Sequence, residues 1–219
     1  MIAIIDYHMG NLFSVKNALE YLGIDSEITS DVAKIMTAKG AVLPGVGAFA
    51  EAIKHLKSLD LIQPIKYFID SGKPFMGICL GFHLLFTESE EFEVARGMDI
   101  LQGKVESFSK HVKSKRIPHV GWNRILKNNN VSKETSFIDP FKNINDDEYM
   151  YFVHSFCVNP DNEDIIATET EYDSFTFCSS VLKGNVFASQ FHPEKSGEKG
   201  LKILKNFFTT GGLKKENGV

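Results

Sequence analysis

Pro74-Phe75-Met76-Gly77-Ile78-Cys79-Leu80-Gly81 says more about this chain than any other stretch. Residues 74–79 form a short apolar run of the kind that makes a strand buried on both faces, and Leu80–Phe86 after it reads as helical. Gly77 and Gly81 flank Cys79 at two residues on either side, the spacing of a nucleophile elbow with cysteine where a hydrolase carries serine. So sharp a turn from strand to helix leaves no room for side chains at the flanking positions, which explains glycine there. The thiol would stand at the first N–H groups of the helix, where unpaired donors and the helix dipole favour a thiolate and a developing oxyanion. A lone cysteine is more often a small buried hydrophobe. The strand before Cys79 and its two glycines favour the nucleophile.

The elbow belongs to an alternating pattern. Ile2 to Ile5 is an apolar run, and Leu12, Val15, Leu19 and Leu22 then recur at helical spacing before Gly23. Gly40-Ala41-Val42-Leu43 reads as a second strand, Pro44-Gly45-Val46-Gly47 as a glycine-rich turn, and Phe49–Leu56 and Ile62–Ile69 as helices. Strand and helix in alternation imply right-handed βαβ units, hence an α/β fold with a mainly parallel sheet and helices on both faces. After residue 100 the texture changes to short β-type runs at Lys104–Phe108, Tyr149–Ser155, Ile165–Thr170, Ser174–Val181 and Val186–Gln190, an additional antiparallel or mixed β region. Leu201, Leu204, Phe207 and Phe208 mark a last helix packed on the sheet, and Thr209 to Val219 is polar and expected to fray. Asn128-Asn129-Asn130 reads as a solvated loop. No linker divides the chain, so residues 1–219 are expected to form one domain.

Composition narrows the functional classes. The chain has 219 residues, 24 Lys+Arg and 28 Asp+Glu, giving a net charge of −4 with no long basic block, so a nucleic-acid partner is not expected. The apolar windows are about a dozen residues long against the roughly 20 a spanning helix needs, so no membrane partner is expected either. Met1–Asp6 lacks a signal peptide's basic start and cleavage site, which points to the cytoplasm. The cysteines at 79, 157 and 178 form no CxxC and, being odd in number, no disulfide framework. Cys157 and Cys178 lie on apolar runs and are expected to be buried thiols. Nothing has the spacing of a metal site, and no metal or cofactor is expected.

A thiol nucleophile needs a base and a group to orient it. His192-Pro193-Glu194 follows the run Val186–Gln190, and residues two apart on an extended chain share a side, so Glu194 could hold one imidazole nitrogen while the other faces Cys79. An oxyanion hole could come from the backbone N–H groups of Val46 and Leu80, with Gly45 and Gly47 freeing the Val46 peptide to reorient. The residues alone thus describe a thiol hydrolase or acyl-transfer enzyme acting on an unnamed carbonyl.

Gly77-Ile78-Cys79-Leu80-Gly81 with His192-Pro193-Glu194 resembles the triad-type (class I) glutamine amidotransferases. More narrowly, the chain resembles the HisH family, the glutaminase subunits of imidazole glycerol phosphate synthase in histidine biosynthesis. Asp6-Tyr7, Gly10-Asn11-Leu12, Leu43–Phe49, Pro118–Asn123, Tyr151–Ser155 and Gln190–Gly197 carry that likeness. The resemblance implies that Cys79 attacks the side-chain amide of L-glutamine, that His192 is base and then acid, and that Glu194 holds the imidazole. It implies substrate contacts at Gly45, Gly47, Gly81 and His83. The ammonia would pass to a (β/α)₈-barrel cyclase subunit across a face containing Asn11, Trp122, Asn123, Tyr151 and Lys195, and the oxyanion loop would rearrange with the partner. One departure stands out: where the family has Met-Gln after the elbow, this chain has Phe82-His83. His83 either still donates a hydrogen bond to glutamine or marks a branch with altered binding, such as a glutaminase feeding a sugar-amidating enzyme of surface-glycan synthesis or a non-catalytic scaffold. His119 and His154 fall in the family motifs without a role derivable from sequence.

Overall fold

The computed structural model describes residues 1–91, 94–112, 117–128 and 138–210. Its first part alternates as the apolar pattern dictates: β1 (Ile2–Ile5), α1 (Leu12–Tyr21), β2 (Ser26–Thr29), α2 (Val32–Thr37), β3 (Gly40–Gly45), α3 (Phe49–Ser58), α4 (Ile62–Asp70) and β4 (Phe75–Cys79). Then come α5 (Leu80–His83), β5 (Phe86–Ser89), β6 (Ala95–Arg96), β7 (Leu101–Ser107), β8 (His119–Lys127), β9 (Glu148–His154) and β10 (Phe156–Pro160). The chain closes with β11 (Ile166–Tyr172), β12 (Phe175–Lys183), β13 (Val186–Ser189) and α6 (Gly197–Thr210).

The strands form one large mixed sheet in the order β2-β1-β3-β4-β13-β12-β10-β7-β5-β6, with β11 joining β12 to β8 and β9 beyond it. From β2 to β13 the neighbours run parallel; β13 turns antiparallel to β12, and the pairs beyond are antiparallel except the parallel pair β5–β7. The parallel half is buried on both faces, so its strands are apolar at every position. Side chains alternate: Ala3, Ile5, Ala41 and Leu43 meet α3 and α4 through Phe49, Leu56, Ile65 and Phe68. Ile2, Ile4, Val42, Met76 and Ile78 face the other way, onto Val15 and Leu19 of α1 and Leu204 and Phe207 of α6. No helix of the described residues is long and apolar enough to cross a membrane.

Two expectations are corrected. The helical run Leu80–Phe86 is only four residues of helix, because the Leu84 and Leu85 carbonyls accept from Met98, Ile100 and Leu101 instead of continuing the helical ladder. Pro44 and Gly45 are strand, in register with Ile78 and Cys79, so the glycine-rich turn begins only at Val46. β2, α2, β5, β6, β8 and β10 were not resolved as elements by the pattern. Thr209 and Thr210, expected to belong to the frayed tail, are instead the end of α6, Thr209 Oγ1 donating to the Lys205 carbonyl one turn back; Asn129 and Asn130 and, from residue 211 on, the rest of the polar tail lie outside the described residues.

Candidate active site

β3, β4 and β13 end at the same edge of the sheet: Gly45 pairs with Cys79, and Ser189 with Ile78. In open parallel sheets the crevice outside the carboxyl ends is where ligands bind, and here it brings three distant segments together.

Cys79 sits at φ 54°, ψ −108°, in the left-handed region, a conformation costing about 1–3 kcal/mol that its surroundings must enforce. The glycines show how. A Cβ on Gly81 would lie 1.8 Å from the Leu43 carbonyl oxygen of β3, and one on Gly77 would lie 3.0 Å from the Gly81 oxygen. Gly77 therefore answers to the elbow itself, as sequence suggests, whereas Gly81 answers to the neighbouring strand. With only four residues in α5, the dipole behind Cys79 is smaller than the expected helix would supply.

His192 and Glu194 are paired, His192 Nδ1 lying 2.8 Å from Glu194 Oε1 with both side chains almost wholly buried. The pairing arises differently from strand alternation: His192 is extended, and Pro193–Lys195 is a 3₁₀ turn that swings the carboxylate back. His192 is held through its backbone as well. Its N–H donates to the Tyr151 carbonyl, and its own carbonyl accepts from Ser196 Oγ at 2.6 Å, an oxygen that also accepts from Tyr151 N. Burial lowers the imidazole pKa, but Cys79 and Glu194 outweigh it and raise it to about 10. His192 Nε2 is buried with no hydrogen bond formed among the described residues, and Cys79 is the neighbour on that side that acts on its proton.

A cavity of ≈ 340 Å³ is lined by Cys79 together with Val46, Gly47, Leu80, His83, Glu91, Pro118 and residues 153–156. Its volume lies within the range of small-molecule sites. Gly45 and Gly47 are fixed by the segment after β1: a Cβ on Gly45 would lie 2.3 Å from Tyr7 Oη, and one on Gly47 2.6 Å from Met9 Cε. Gly47 also holds φ +114°. Tyr7 Oη is buried with no hydrogen-bond partner among the described residues, and burial, then Cys79, pushes its pKa up.

His83 reaches the cavity wall, but its Nε2 lies 2.7 Å from Gln190 Oε1. Burial outweighs that bond and pushes the His83 pKa down to about 4, so the ring is neutral and donates to the carboxamide oxygen. Gln190 Nε2 in turn donates to Cys79 Sγ at 3.8 Å. His83 Nε2 is thus engaged by a protein side chain.

Trp122 is 55% exposed and meets Tyr151 edge-on at 6.1 Å, and Tyr151 lies 6.4 Å from His192, next to the turn carrying Lys195. Asn11 is exposed and caps α1 through Ser14 N. Asn123 points away from the Trp122 face, its amide on Glu171 O at 2.9 Å and His119 Nε2 at 3.3 Å. Sequence missed Glu91, whose Oε2 accepts from Phe49 N at 2.7 Å and so caps α3, and it missed Gln190. The signal for Gln190 was available: it precedes His192 by two residues on an extended segment. Cys157 and Cys178 are buried, as expected, burial raising the first to about 12 and the second well above its ordinary value. Among the described residues no group of three or more His, Cys, Asp or Glu could hold a metal ion.

The class-I glutamine amidotransferase family matches residues 3–210. The imidazole glycerol phosphate synthase subunit HisH of Caldanaerobacter subterraneus subsp. tengcongensis is 48% identical over 94% of this chain and 97% of its own length. The subunit of the same name from Aquifex aeolicus is 45% identical over 93% and 94%. Among solved structures, a glutamine amidotransferase superposes with a TM-score of 0.72 at 16% identity, covering 97% of this chain and 100% of its own. PurLQS from Thermotoga maritima gives 0.69 at 20% identity, covering 95% and 97%. Those two likenesses concern the fold, whereas the family match and the identity along nearly the whole chain go further: this chain belongs to the class-I glutamine amidotransferases and, within them, to the HisH family.

Proposed function

We propose that this protein is the glutaminase subunit of imidazole glycerol phosphate synthase, releasing ammonia from L-glutamine for histidine biosynthesis. The observation that carries the chemistry is the convergence of Cys79 at the elbow, the buried His192–Glu194 pair and a cavity that Cys79 lines.

Glutamine lies in the cavity with its side-chain amide over Sγ. The Cys79 thiolate attacks the amide carbon, and the carbonyl electron pair moves onto oxygen, where the N–H groups of Val46 and Leu80 receive it. The tetrahedral species collapses, the C–N bond breaks, and the His192 imidazolium gives its proton to the departing nitrogen, releasing ammonia and leaving a glutamyl thioester. Water then adds to the thioester as His192 takes its proton, the C–S bond breaks, and glutamate leaves with the thiolate restored. Glu194 keeps Nδ1 protonated and the ring oriented throughout. Glu91, with one carboxylate oxygen on Phe49 N, presents the other to the substrate's α-ammonium, and Gly45, Gly47 and Gly81 let the backbone approach it.

The ammonia goes to a (β/α)₈-barrel cyclase subunit docked on the face where Trp122, Val120 and Tyr149 are exposed beside Tyr151 and Lys195. Tyr151 ties that face to the site through its carbonyl on His192 N. The test is glutamate release from the protein mixed with a cyclase subunit and its ribulosyl substrate. Stimulated release is expected in the parent, none in Cys79→Ala, and a kcat lower by about 10²-fold or more in Glu194→Gln. Release that survives Cys79→Ala would sink the reading.

A further inference from the structure

Two buried side chains besides His192 lead to the nucleophile: Gln190, which touches it, and His83, which touches Gln190. Gln190 is fully buried and His83 nearly so. A carboxamide has a donor end and an acceptor end, and which end faces the sulfur decides whether it favours thiol or thiolate. A neutral His83 carrying its proton on Nε2 donates to Gln190 Oε1 at 2.7 Å. That fixes the opposite end, Nε2, toward Cys79 Sγ at 3.8 Å, where it can donate to a thiolate and has nothing to accept from a thiol. The thiol form has its own acceptor in the Val153 carbonyl, also at 3.8 Å.

We propose that Gln190 holds the Cys79 thiolate through its carboxamide N–H, and that His83 is the positioning residue that fixes the direction of that carboxamide. The assignment deepens the glutaminase reading and rests on Cys79 being its nucleophile. Sγ has two competing neighbours: Val153 O stabilises the thiol, and Gln190 Nε2, together with the His192 imidazolium, stabilises the thiolate. This gives position 83 a use apart from touching glutamine. Any side chain there that presents an N–H to Gln190 Oε1 should serve.

The titratable groups around the sulfur are His192 with Glu194 behind it, Tyr7 from the segment after β1, His83 on α5, His154 on β9 and Glu91 at the cavity wall. His83 and His154 are held neutral by burial, and Tyr7 stays protonated, so they add no charge step of their own near neutral pH.

The experiment is iodoacetamide alkylation of the full chain across a pH series, read at each cysteine by mass spectrometry. Cys157 and Cys178, both buried, report unfolding in every sample. Gln190→Met keeps the volume and removes the amide; it should move the pH of half-maximal Cys79 alkylation up by about one unit, the size of one hydrogen bond to a charged group. His83→Phe should move it the same way, and His83→Gln should restore it to the parent position. An unmoved midpoint in Gln190→Met or His83→Phe, with Cys157 and Cys178 still protected, would overturn the proposal. Where one variant exposes those two cysteines, the other decides. Glutamate release, and its loss in Cys79→Ala, tests the glutaminase reading separately, since alkylation needs neither substrate nor partner.

Discussion

At the scale of single residues, the site is made of backbone that only particular side chains permit. The elbow glycines look equivalent in sequence and are not. A methyl on Gly81 runs into the Leu43 carbonyl at 1.8 Å, and a strand carbonyl in the sheet centre cannot give way. Gly81→Ala should cost more than about 4 kcal/mol, among the largest single-residue effects, or prevent folding. Gly77→Ala meets the Gly81 oxygen at 3.0 Å and should cost about 1–3 kcal/mol. Gly23, at φ +69° with open space around it, should lose only about 1 kcal/mol as alanine. Urea unfolding ranks the three, and an order other than 81, 77, 23 contradicts the assignment of the contacts. Tyr7 is the opposite case. Its hydroxyl is buried with no partner among the described residues, so Tyr7→Phe should raise stability by about 1 kcal/mol in the same assay. The elbow was legible in sequence because its constraint is local. The partners of Gly45, Gly47 and Gly81 lie on other strands and loops, so the spacing named the glycines without saying what they touch.

Among the elements, the hairpin of β8 and β9 held most of what the sequence concealed. The period of two along β8 puts His119, Gly121, Asn123 and Ile125 on one face and Val120, Trp122, Arg124 and Leu126 on the other. Register opposes His119 to His154 and Trp122 to Tyr151, so the inward histidines and the outward aromatics become pairs only once the strands are joined. The inward chain has a single self-consistent direction. Phe156 O must receive a proton, so His154 Nδ1 donates to it at 2.8 Å; His154 Nε2 then accepts from His119 Nδ1 at 2.9 Å. His119 Nε2 accepts from the Asn123 amide, whose oxygen is left for Arg124 N at 2.8 Å. Asn123→Asp places an acceptor where His119 and Glu171 O need a donor, and should destabilise the fold by about 2 kcal/mol. It should also draw a proton onto His119, visible as a change of its ring nitrogens from neutral to charged in nitrogen NMR near neutral pH. A ring that stays neutral with stability unchanged would show that the chain does not run this way. α5 is the element that local pattern misjudged: residues 84–86 are apolar enough for a helix, but the carbonyls of Leu84 and Leu85 are claimed by residues 98–101, fourteen to sixteen positions on.

Across the whole molecule, a parallel sheet brings residues 45, 79 and 192 to one edge, and the cost of so closed a site appears as buried histidines. Burial pushes His83 and His119 down to about 4 from the ordinary 6.5, and pushes His154 well below it, with His119 adding to the effect. Each binds its proton more readily in the unfolded chain than in the fold, so between those values unfolding takes up protons and stability falls as pH falls. His192 runs the other way: raised to about 10, it favours the fold fully below about 6.5 and loses that contribution as pH climbs toward 10. Stability should therefore peak near neutrality and decline on the acid side with a slope approaching about 1.4 kcal/mol per pH unit for each of the three neutral rings. The window from about pH 6.5 to about pH 5 isolates them, because it lies above the ordinary carboxylate range. Urea midpoints across that window check the slope, and His83→Gln, which keeps an N–H donor for Gln190, should remove about a third of it. A flat profile in the parent would mean that the buried rings take up protons without cost. An unchanged slope in His83→Gln would mean that His83 is already charged, and a charged His83 beside Gln190 could no longer be counted as a neutral guide for the amide that faces Cys79.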